Sequence, residues 1–233
     1  MKRLYINSIL LPVLSLICVS CLNELDNYDA PNGGIKGQIL DAVTNEPIPL
    51  PVQGSAGTII NMYEQNTEAT KSIDFYAKHD GTYENSRVFN CDYKIVVKGP
   101  FTSPCEGSVT VKGQTGYNLT ATPYARIKTE VSASGTKVSI QYSVEKSDPS
   151  FTVSEVYGYW NFAPGVDNST ANLAGKITVE NTEGIITFDL SEDNAFKDNI
   201  YKIKSNGNKI YLRVGAKTEG VINYSEIQTV FIN

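Results

Sequence analysis

The sequence predicts an all-β protein that consists of two tandem β-sandwich domains behind a short export signal. Tyr is abundant, at 14 of 233 residues, and Val, Ile and Thr recur in short runs that Gly and Pro interrupt. β-Branched and aromatic residues favour strands, and frequent turn residues favour many short ones. After the signal, no long segment has the apolar periodicity of a helix. About 213 residues follow the first 20, which is enough for one large or two small domains.

Residues 1–20 have the layout of a lipoprotein signal peptide. Lys2 and Arg3 precede an almost wholly apolar stretch, which is shorter than the roughly 20 residues of a spanning helix. Ser20 precedes Cys21, and a small residue before a cysteine is typical of the site where that thiol is acylated. We therefore predict lipidation of Cys21 and attachment to a membrane. A secreted protein cut elsewhere and an uncleaved anchor are the alternatives.

Residues 21–31 form a predicted acidic tether between the lipid and the first domain. Glu24, Asp26 and Asp29 follow soon after Cys21. This arrangement resembles the tether that directs Bacteroidetes-type lipoproteins to the outer face of the outer membrane. The resemblance implies an outer-membrane protein that faces the cell exterior.

The net charge argues against one class of function, and the cysteines allow one disulfide. The formal net charge is −5 and no basic stripe is present, so nucleic-acid binding is not expected. Cys91 and Cys105 remain after Cys18 leaves with the signal and Cys21 takes lipid. An exported protein with two such cysteines can form one disulfide, and two free thiols are the alternative.

The first predicted domain spans residues 32–122. In the stretch 35–41, Ile35, Gly37 and Ile39 share one face, which is the period of a half-buried strand. A turn follows at 44–47, and the Pro-rich stretch 48–52 suits an edge strand. Further strands are predicted at 57–64, 72–77, 93–97, 108–111 and 117–120. Strands at this spacing indicate a sandwich.

The second predicted domain spans residues 123–233. Pro123 marks the boundary because proline removes a donor from a strand ladder. Residues 191–199 are acidic and are predicted to form a loop or a single helical turn. Strands are predicted at 125–131, 137–144, 151–162, 177–179, 184–190, 209–216 and 224–232.

Both domains resemble known families. The stretch 37–41 with 44–48, and later 80–83 and 92–97, looks like carboxypeptidase-regulatory-like, transthyretin-like domains, which are non-catalytic sandwiches. The stretches 209–220 and 224–232 resemble the last hairpin of fibronectin type III domains. The wider pattern of residues 24–31 and 98–101 resembles Bacteroidetes lipoproteins of the domain-of-unknown-function 3823 family. That resemblance implies association with SusC/SusD-type glycan-uptake systems.

Candidate catalytic and metal-binding groups are few. His79 is the sole histidine and lies beside the Asp80–Gly81 turn, so we expect a solvated loop residue. Glu192 and Asp193 are adjacent acids in a polar stretch, and loose calcium binding there is the alternative to a solvated charge run. No phosphate-binding loop and no zinc-type cysteine spacing is present. We predict no catalytic residues, no metal and no cofactor.

The best candidate surface for a ligand is the aromatic stretch 156–162. Sugars stack on aromatic rings and need amide partners, so Tyr157, Tyr159, Trp160 and Asn161 are the predicted glycan-binding residues. Strand alternation places Trp160 on one face, where a core role is the alternative. Tyr157 and Tyr159 lie on the other face, either exposed or buried against the first domain.

The sequence thus predicts a non-enzymatic surface lipoprotein that is accessory to a SusC/SusD-type system and binds a polysaccharide or oligosaccharide. The alternative is a structural spacer, or a protein-interaction subunit of a transporter complex that contacts no sugar.

Overall fold

A computed structural model of the chain describes residues 30–54 and 56–232. The predicted signal peptide, Cys21 and most of the tether lie outside the described residues. From Asn32 onward the chain forms one compact unit that contains two β-sandwiches in succession. The predicted all-β class and the tandem sandwiches are therefore confirmed.

The first sandwich consists of two four-stranded sheets. One sheet has the order β4-β1-β7, with β8 also paired to β1, and the other has the order β3-β2-β5-β6. The strands are β1 (Gly33–Asp41), β2 (Ile59–Glu64), β3 (Ile73–Tyr76), β4 (Thr82–Val88), β5 (Asp92–Lys98), β6 (Cys105–Thr110), β7 (Gln114–Gly116) and β8 (Leu119–Ala121).

Strand alternation sorts the side chains of this sandwich between core and surface. On β2, Ile60 and Met62 point into the core and are fully buried, whereas Asn61 and Tyr63 point outward. Ile95 on β5 is also fully buried between the sheets. The predicted two-residue period therefore holds where one face of a strand meets the opposite sheet.

The second sandwich consists of a three-stranded and a five-stranded sheet. The orders are β13-β10-β9 and β12-β11-β14-β15, with β16 also paired to β14. The strands are β9 (Ala125–Ser134), β10 (Lys137–Lys146), β11 (Val153–Asn161), β12 (Gly175–Val179), β13 (Glu183–Asp189), β14 (Lys209–Thr218), β15 (Val221–Tyr224) and β16 (Gln228–Phe231).

A helix, α1 (Asn194–Ser205), closes one end of the second sandwich, and the prediction of a loop or a single turn there is wrong. Phe196 and Ile203 are buried by the helix, so its apolar residues do follow a helical spacing over three turns. Asp193 caps the helix by accepting from the backbone N–H of Phe196 at 3.2 Å. The helix was not predicted because most of its residues are polar and few apolar positions mark its buried side.

Residues 48–52 are not the predicted edge strand. The backbone N–H of Leu50 donates to the carbonyl of His79 at 3.0 Å, and that of Ile48 donates to the carbonyl of Ile39 at 2.9 Å. Ile48 and Leu50 are buried. The segment is extended, and it offers the Leu50 carbonyl and the Val52 N–H to the second sandwich.

Candidate functional site

The aromatic stretch predicted to bind glycan is buried. Tyr157 and Asn161 are 6% and 5% exposed, and Tyr159 and Trp160 are fully buried. All four lie on β11, which pairs with a strand on each side and is covered on both faces. A sugar cannot stack on rings that solvent does not reach, so the predicted site is wrong.

Trp160 is a core residue, as its alternative interpretation proposed. Its ring lies edge-on to Phe196 of α1, with the centroids 6.3 Å apart. Its indole N–H donates to the carboxylate of Asp193 at 3.0 Å. Asp193 thus caps a helix and holds a tryptophan, and among the described residues no cluster with Glu192 could hold a metal ion.

Tyr157 and Tyr159 lie on the opposite face of β11, under a second apolar cluster. Tyr159 packs between Tyr157 and Tyr224, with ring centroids 5.8 and 6.2 Å away, and Val166 completes the cluster. Burial, together with the hydrogen bond to Glu155, raises the pKa of Tyr157 to about 12. Of the two alternatives for this face of β11, exposed or buried, the structure shows the buried one, and the face forms a second core.

Residues 162–174, which we call the covering loop, close this face. The Asn161 side chain donates to the Gly165 carbonyl at 2.9 Å and accepts from the Phe162 N–H at 2.8 Å. The Asp167 carboxylate accepts from the N–H of Val52 in the first sandwich at 2.9 Å. The predicted ligand-binding amide instead fixes the loop that shields the tyrosines.

Arg213 lies at the centre of the junction between the sandwiches, and its side chain is 1% exposed. The guanidinium donates to the carbonyls of Ser225 at 2.7 Å, Val166 at 3.0 Å and Leu50 at 2.8 Å. It also lies 4.6 Å from the ring centroid of Tyr224. Burial lowers the pKa of Arg213 to about 10, so the group stays charged at neutral pH.

A second polar group crosses the junction at Asn223. Its amide donates to the Pro100 carbonyl at 2.8 Å and accepts from the Ala125 N–H at 3.1 Å. Asn223 is 1% exposed. Buried polar groups must keep their hydrogen-bond partners, so the bonds from Arg213 to Leu50 and from Asn223 to Pro100 fix the orientation of the two sandwiches.

His79 is half-buried rather than solvated, because its turn packs at this junction. Its carbonyl accepts from Leu50 and, at 3.5 Å, from Arg213. Burial and the nearby Arg213 charge lower the pKa of the imidazole, so it is neutral at physiological pH.

Cys91 and Cys105 are free thiols, and the predicted disulfide is wrong. In the β5–β6 pair Cys105 lies opposite Val97, whereas Cys91 precedes the other end of β5. Cys91 and Val97, the residue opposite Cys105, are six residues apart along the strand, which is about 20 Å. The Cα atoms of a disulfide lie within about 7 Å of each other. Burial raises the pKa of Cys105 to about 11, so this thiol is not a reactive nucleophile.

A cleft of about 300 Å³ opens between the sandwiches, and we call it the interdomain cleft. Residues 46–49 of the first sandwich form one wall, and residues 125–129 of β9 form the other. Residues 223–228 close its floor. A concave site at a domain boundary, lined by convergent polar groups, is where small ligands most often bind.

An ion pair fixes the inner end of the interdomain cleft. The Arg126 guanidinium donates to both carboxylate oxygens of Asp41, at 2.6 and 2.7 Å, and to Ser147 at 3.0 Å. Burial would raise the pKa of Asp41, but hydrogen bonds from Arg126 and the Val43 N–H outweigh it and lower that pKa. Asp41 is therefore ionised and cannot donate a proton at neutral pH.

Further out, the cleft carries polar side chains that hydrogen-bond to nothing else among the described residues. Glu46 and Glu226 supply carboxylates, Lys128 an ammonium, Thr129 a hydroxyl and Gln228 an amide. Sequence reasoning missed this site because its walls come from segments about 80 and 180 residues apart in the chain. The residue of the site that stands out locally in the sequence is Arg126, a charged residue within a predicted strand.

Family models match both sandwiches. Residues 33–122 match the family described as "Protein of unknown function (DUF3823) N-terminal domain". Residues 125–229 match "Domain of unknown function (DUF3823_C)". The chain belongs to the DUF3823 family. The resemblance noted in the sequence is thereby confirmed for the family itself.

Solved structures from Bacteroidetes-type bacteria, two of them of the same family, share the fold. A DUF3823 family protein from Parabacteroides merdae is 22% identical with a TM-score of 0.72, and the match covers 87% of this chain and all of that one. One from Bacteroides ovatus is 20% identical with a TM-score of 0.68, covering 86% and 99%. A protein from Bacteroides uniformis, provisionally named a carbohydrate binding protein, is 22% identical with a TM-score of 0.65, covering 87% and 100%.

A comparison with curated proteins finds no match to this chain. Across the described residues, no helix is both long enough and apolar enough to span a membrane.

Proposed function

We propose that this DUF3823 protein is a lipid-anchored protein of the outer membrane that faces the cell exterior and binds glycan without cleaving it. The observation that carries the proposal is the interdomain cleft, which two rigidly joined sandwiches line with free carboxylate, ammonium, hydroxyl and amide groups. The predicted signal peptide of residues 1–20, followed directly by Cys21, supports the location. The provisional name of the B. uniformis relative supports the ligand class.

The chemistry of the cleft suits a sugar. Carbohydrate hydroxyls donate and accept hydrogen bonds, so they need partners of both kinds, which Glu226, Gln228 and Lys128 provide. Ile127 and the prolines at 47 and 49 supply apolar surface for C–H faces. Because Asp41 stays ionised, the cleft lacks its most buried carboxyl as a general acid, which supports binding without hydrolysis.

Affinity electrophoresis of the full-length protein in detergent tests this function. The panel is soluble starch, arabinoxylan, mixed-linkage β-glucan, galactomannan and polygalacturonate. We expect retardation by at least one member without release of reducing sugar. Glu226→Ala should weaken that binding about tenfold, since it removes a group at the cleft. Glu130→Ala on the same strand as Lys128 removes an exposed acid outside the cleft and is the matched control.

Two results would contradict the proposal. Absence of binding to every polymer would remove glycan recognition, and release of reducing sugar would make the protein an enzyme. For the location, proteolysis of whole cells should remove the protein, and Cys21→Ala should release it from the membrane fraction. Complete protection in intact cells would place the protein on the periplasmic side.

A second candidate function is a spacer or interaction subunit of a SusC/SusD-type transporter complex. The fixed junction through Arg213 and Asn223 favours it, because two sandwiches joined in one orientation can hold a partner at a set position. Co-purification of a transporter with a protein that binds no glycan would support the spacer. Glycan binding without any co-purifying transporter would support the first function.

A further inference from the structure

The outer face of the β3-β2-β5-β6 sheet carries aromatic and polar side chains that the cleft does not use. Register places Asn61 opposite Asp74 and Tyr63 opposite Lys94, while Tyr76 and Lys98 flank Ile59. Directly opposed residues in a ladder point to the same side of the sheet. We call this surface the tyrosine face, defined by Asn61, Tyr63, Asp74, Tyr76, Lys94 and Lys98.

Both tyrosine rings of this face are available to a ligand. Tyr63 is 37% exposed and Tyr76 is 40% exposed. The ring of Tyr76 lies against Gly57, where a Cβ would come within 2.9 Å of the ring. A side chain at that position would therefore push the ring away, and glycine lets the Tyr76 ring pack against the segment before β2 while the residue stays exposed.

Hydrogen-bonding groups lie between the two rings. The Asn61 amide donates to the Asp74 carboxylate at 2.7 Å. Hydrogen bonds from Ser72 and Asn61 lower the pKa of Asp74, so it is an ionised acceptor at neutral pH. Rings with an amide and a carboxylate between them are the groups that sugars require, since stacking covers C–H faces and the polar pair meets hydroxyls.

The charge of the face selects a neutral ligand. Lys94 forms an ion pair with Glu106 of β6 at 3.0 Å, and Lys98 lies near enough to Asp74 to affect its ionisation. Each lysine of the tyrosine face, on the neighbouring strand β5, is thus balanced by an acid. A polyanion or a polycation gains nothing from such a surface.

From these observations we propose that the tyrosine face binds an extended neutral polysaccharide chain, which stacks on Tyr63 and Tyr76 and hydrogen-bonds to Asn61 and Asp74 between them. This site is separate from the interdomain cleft and shares with the proposed function only the class of ligand. Tyr76 lies opposite Ile59, and Tyr63 is four residues further along β2, about 13 Å. One sugar ring cannot touch both tyrosines, so the ligand must be a chain.

Binding of the full-length protein in detergent to the same polysaccharides tests the proposal. Tyr63→Ala and Tyr76→Ala should each weaken binding to a neutral polymer about tenfold, because each removes one stacking platform. Tyr63→Phe and Tyr76→Phe keep the rings and should bind within about twofold of the natural protein. Tyr201→Ala, which removes an exposed tyrosine from α1, is the matched control and should have no effect.

Chain length gives a second measurement that needs no variant. Oligosaccharides of the bound polymer should compete better as they lengthen, up to the length that spans both rings, and the monosaccharide should not compete. Full competition by a monosaccharide would overturn the proposal, as would tighter binding of polygalacturonate than of every neutral polymer.

The cleft variant separates this proposal from the proposed function. If Glu226→Ala abolishes binding while both alanine variants of the tyrosine face bind normally, the tyrosine face is wrong and the cleft is correct. If the reverse holds, the tyrosine face is the site and the cleft is not. Failure of every polymer to bind the natural protein overturns both.

Discussion

Two outward sheet faces of this molecule carry paired tyrosines, and only one of them is open. On β11 of the second sandwich, Tyr157 and Tyr159 lie under the covering loop and Tyr224. On β2 and β3 of the first sandwich, Tyr63 and Tyr76 lie on a face that remains exposed to solvent. Alternation along a strand predicts which residues share a face, but tertiary packing decides whether that face is covered.

The difference has a specific physical cause at the junction. Arg213 projects from β14 onto the same face as Tyr159 and pairs with carbonyls from the covering loop and from the segment at Leu50. A buried guanidinium needs such partners, so it draws both segments onto the tyrosines. On the tyrosine face the charged groups, Asp74, Lys94 and Lys98, are exposed, and within residues 30–54 and 56–232 they hold no segment over the rings.

The largest loss of stability should come from truncating a tyrosine of the covered face on β11. We expect Tyr159→Ala to lower the free energy of unfolding by about 4 kcal/mol, because it opens a cavity among packed rings. Tyr76→Ala should change it by less than about 0.5 kcal/mol, because the ring is already exposed. Denaturant titration of both variants measures the contrast, and equal losses would abolish the distinction between the two faces.

The second-largest loss of stability should come from removing the charge of Arg213, which holds the covering loop in place. Arg213→Met leaves the carbonyls of Leu50, Val166 and Ser225 without their donor and should cost about 3 kcal/mol. The covering loop should also become cleavable by a protease under native conditions. Arg213→Lys keeps a charge without the planar fork and should recover only part of the loss. An Arg213→Met protein as stable and protease-resistant as the natural one would show that packing alone covers the face.

Acidification tests the ion pair at the edge of the same junction. The pKa of Asp41 is lower in the folded protein than its ordinary value of 3.8, so the unfolded chain binds the proton first as pH falls. The stabilisation is fully present above pH 3.8 and is lost as the pH falls through the folded value. Asp41→Asn should cost about 2 kcal/mol at pH 7 and remove part of this acid sensitivity. An identical acid-unfolding curve for Asp41→Asn would contradict the prediction.

The smallest predicted effect is an increase in the free energy of unfolding, in the variant Tyr159→Phe. The Tyr159 hydroxyl is buried and has no hydrogen-bond partner in the described part of the chain. Tyr159→Phe removes that unpaired group and keeps the ring, so it should raise the free energy of unfolding by about 1 kcal/mol. Tyr224→Phe is the contrast, because its hydroxyl accepts from the Asn168 N–H at 3.3 Å. A loss of stability in Tyr159→Phe would mean that the hydroxyl has a partner after all.

Local patterns in the sequence predicted the sandwiches because strand alternation and turn residues act over a few positions. They missed α1, where Phe196 and Ile203 are the buried apolar residues of an otherwise polar helix that Asp193 caps. The prediction of a disulfide was wrong because sequence spacing does not reveal that Cys91 and Cys105 lie at opposite ends of a strand pair. The cleft and the tyrosine face depend on which distant segments meet, and this information is not local.

The most direct test of the account is one comparison of polysaccharide binding by full-length protein. We expect the double variant Tyr63→Ala with Tyr76→Ala to bind a neutral polymer about a hundredfold more weakly. We also expect Tyr159→Phe, on the covered face, to leave this binding unchanged. Natural affinity in the double variant, or a loss of affinity in Tyr159→Phe, would contradict the claim that the exposed tyrosine face binds glycan.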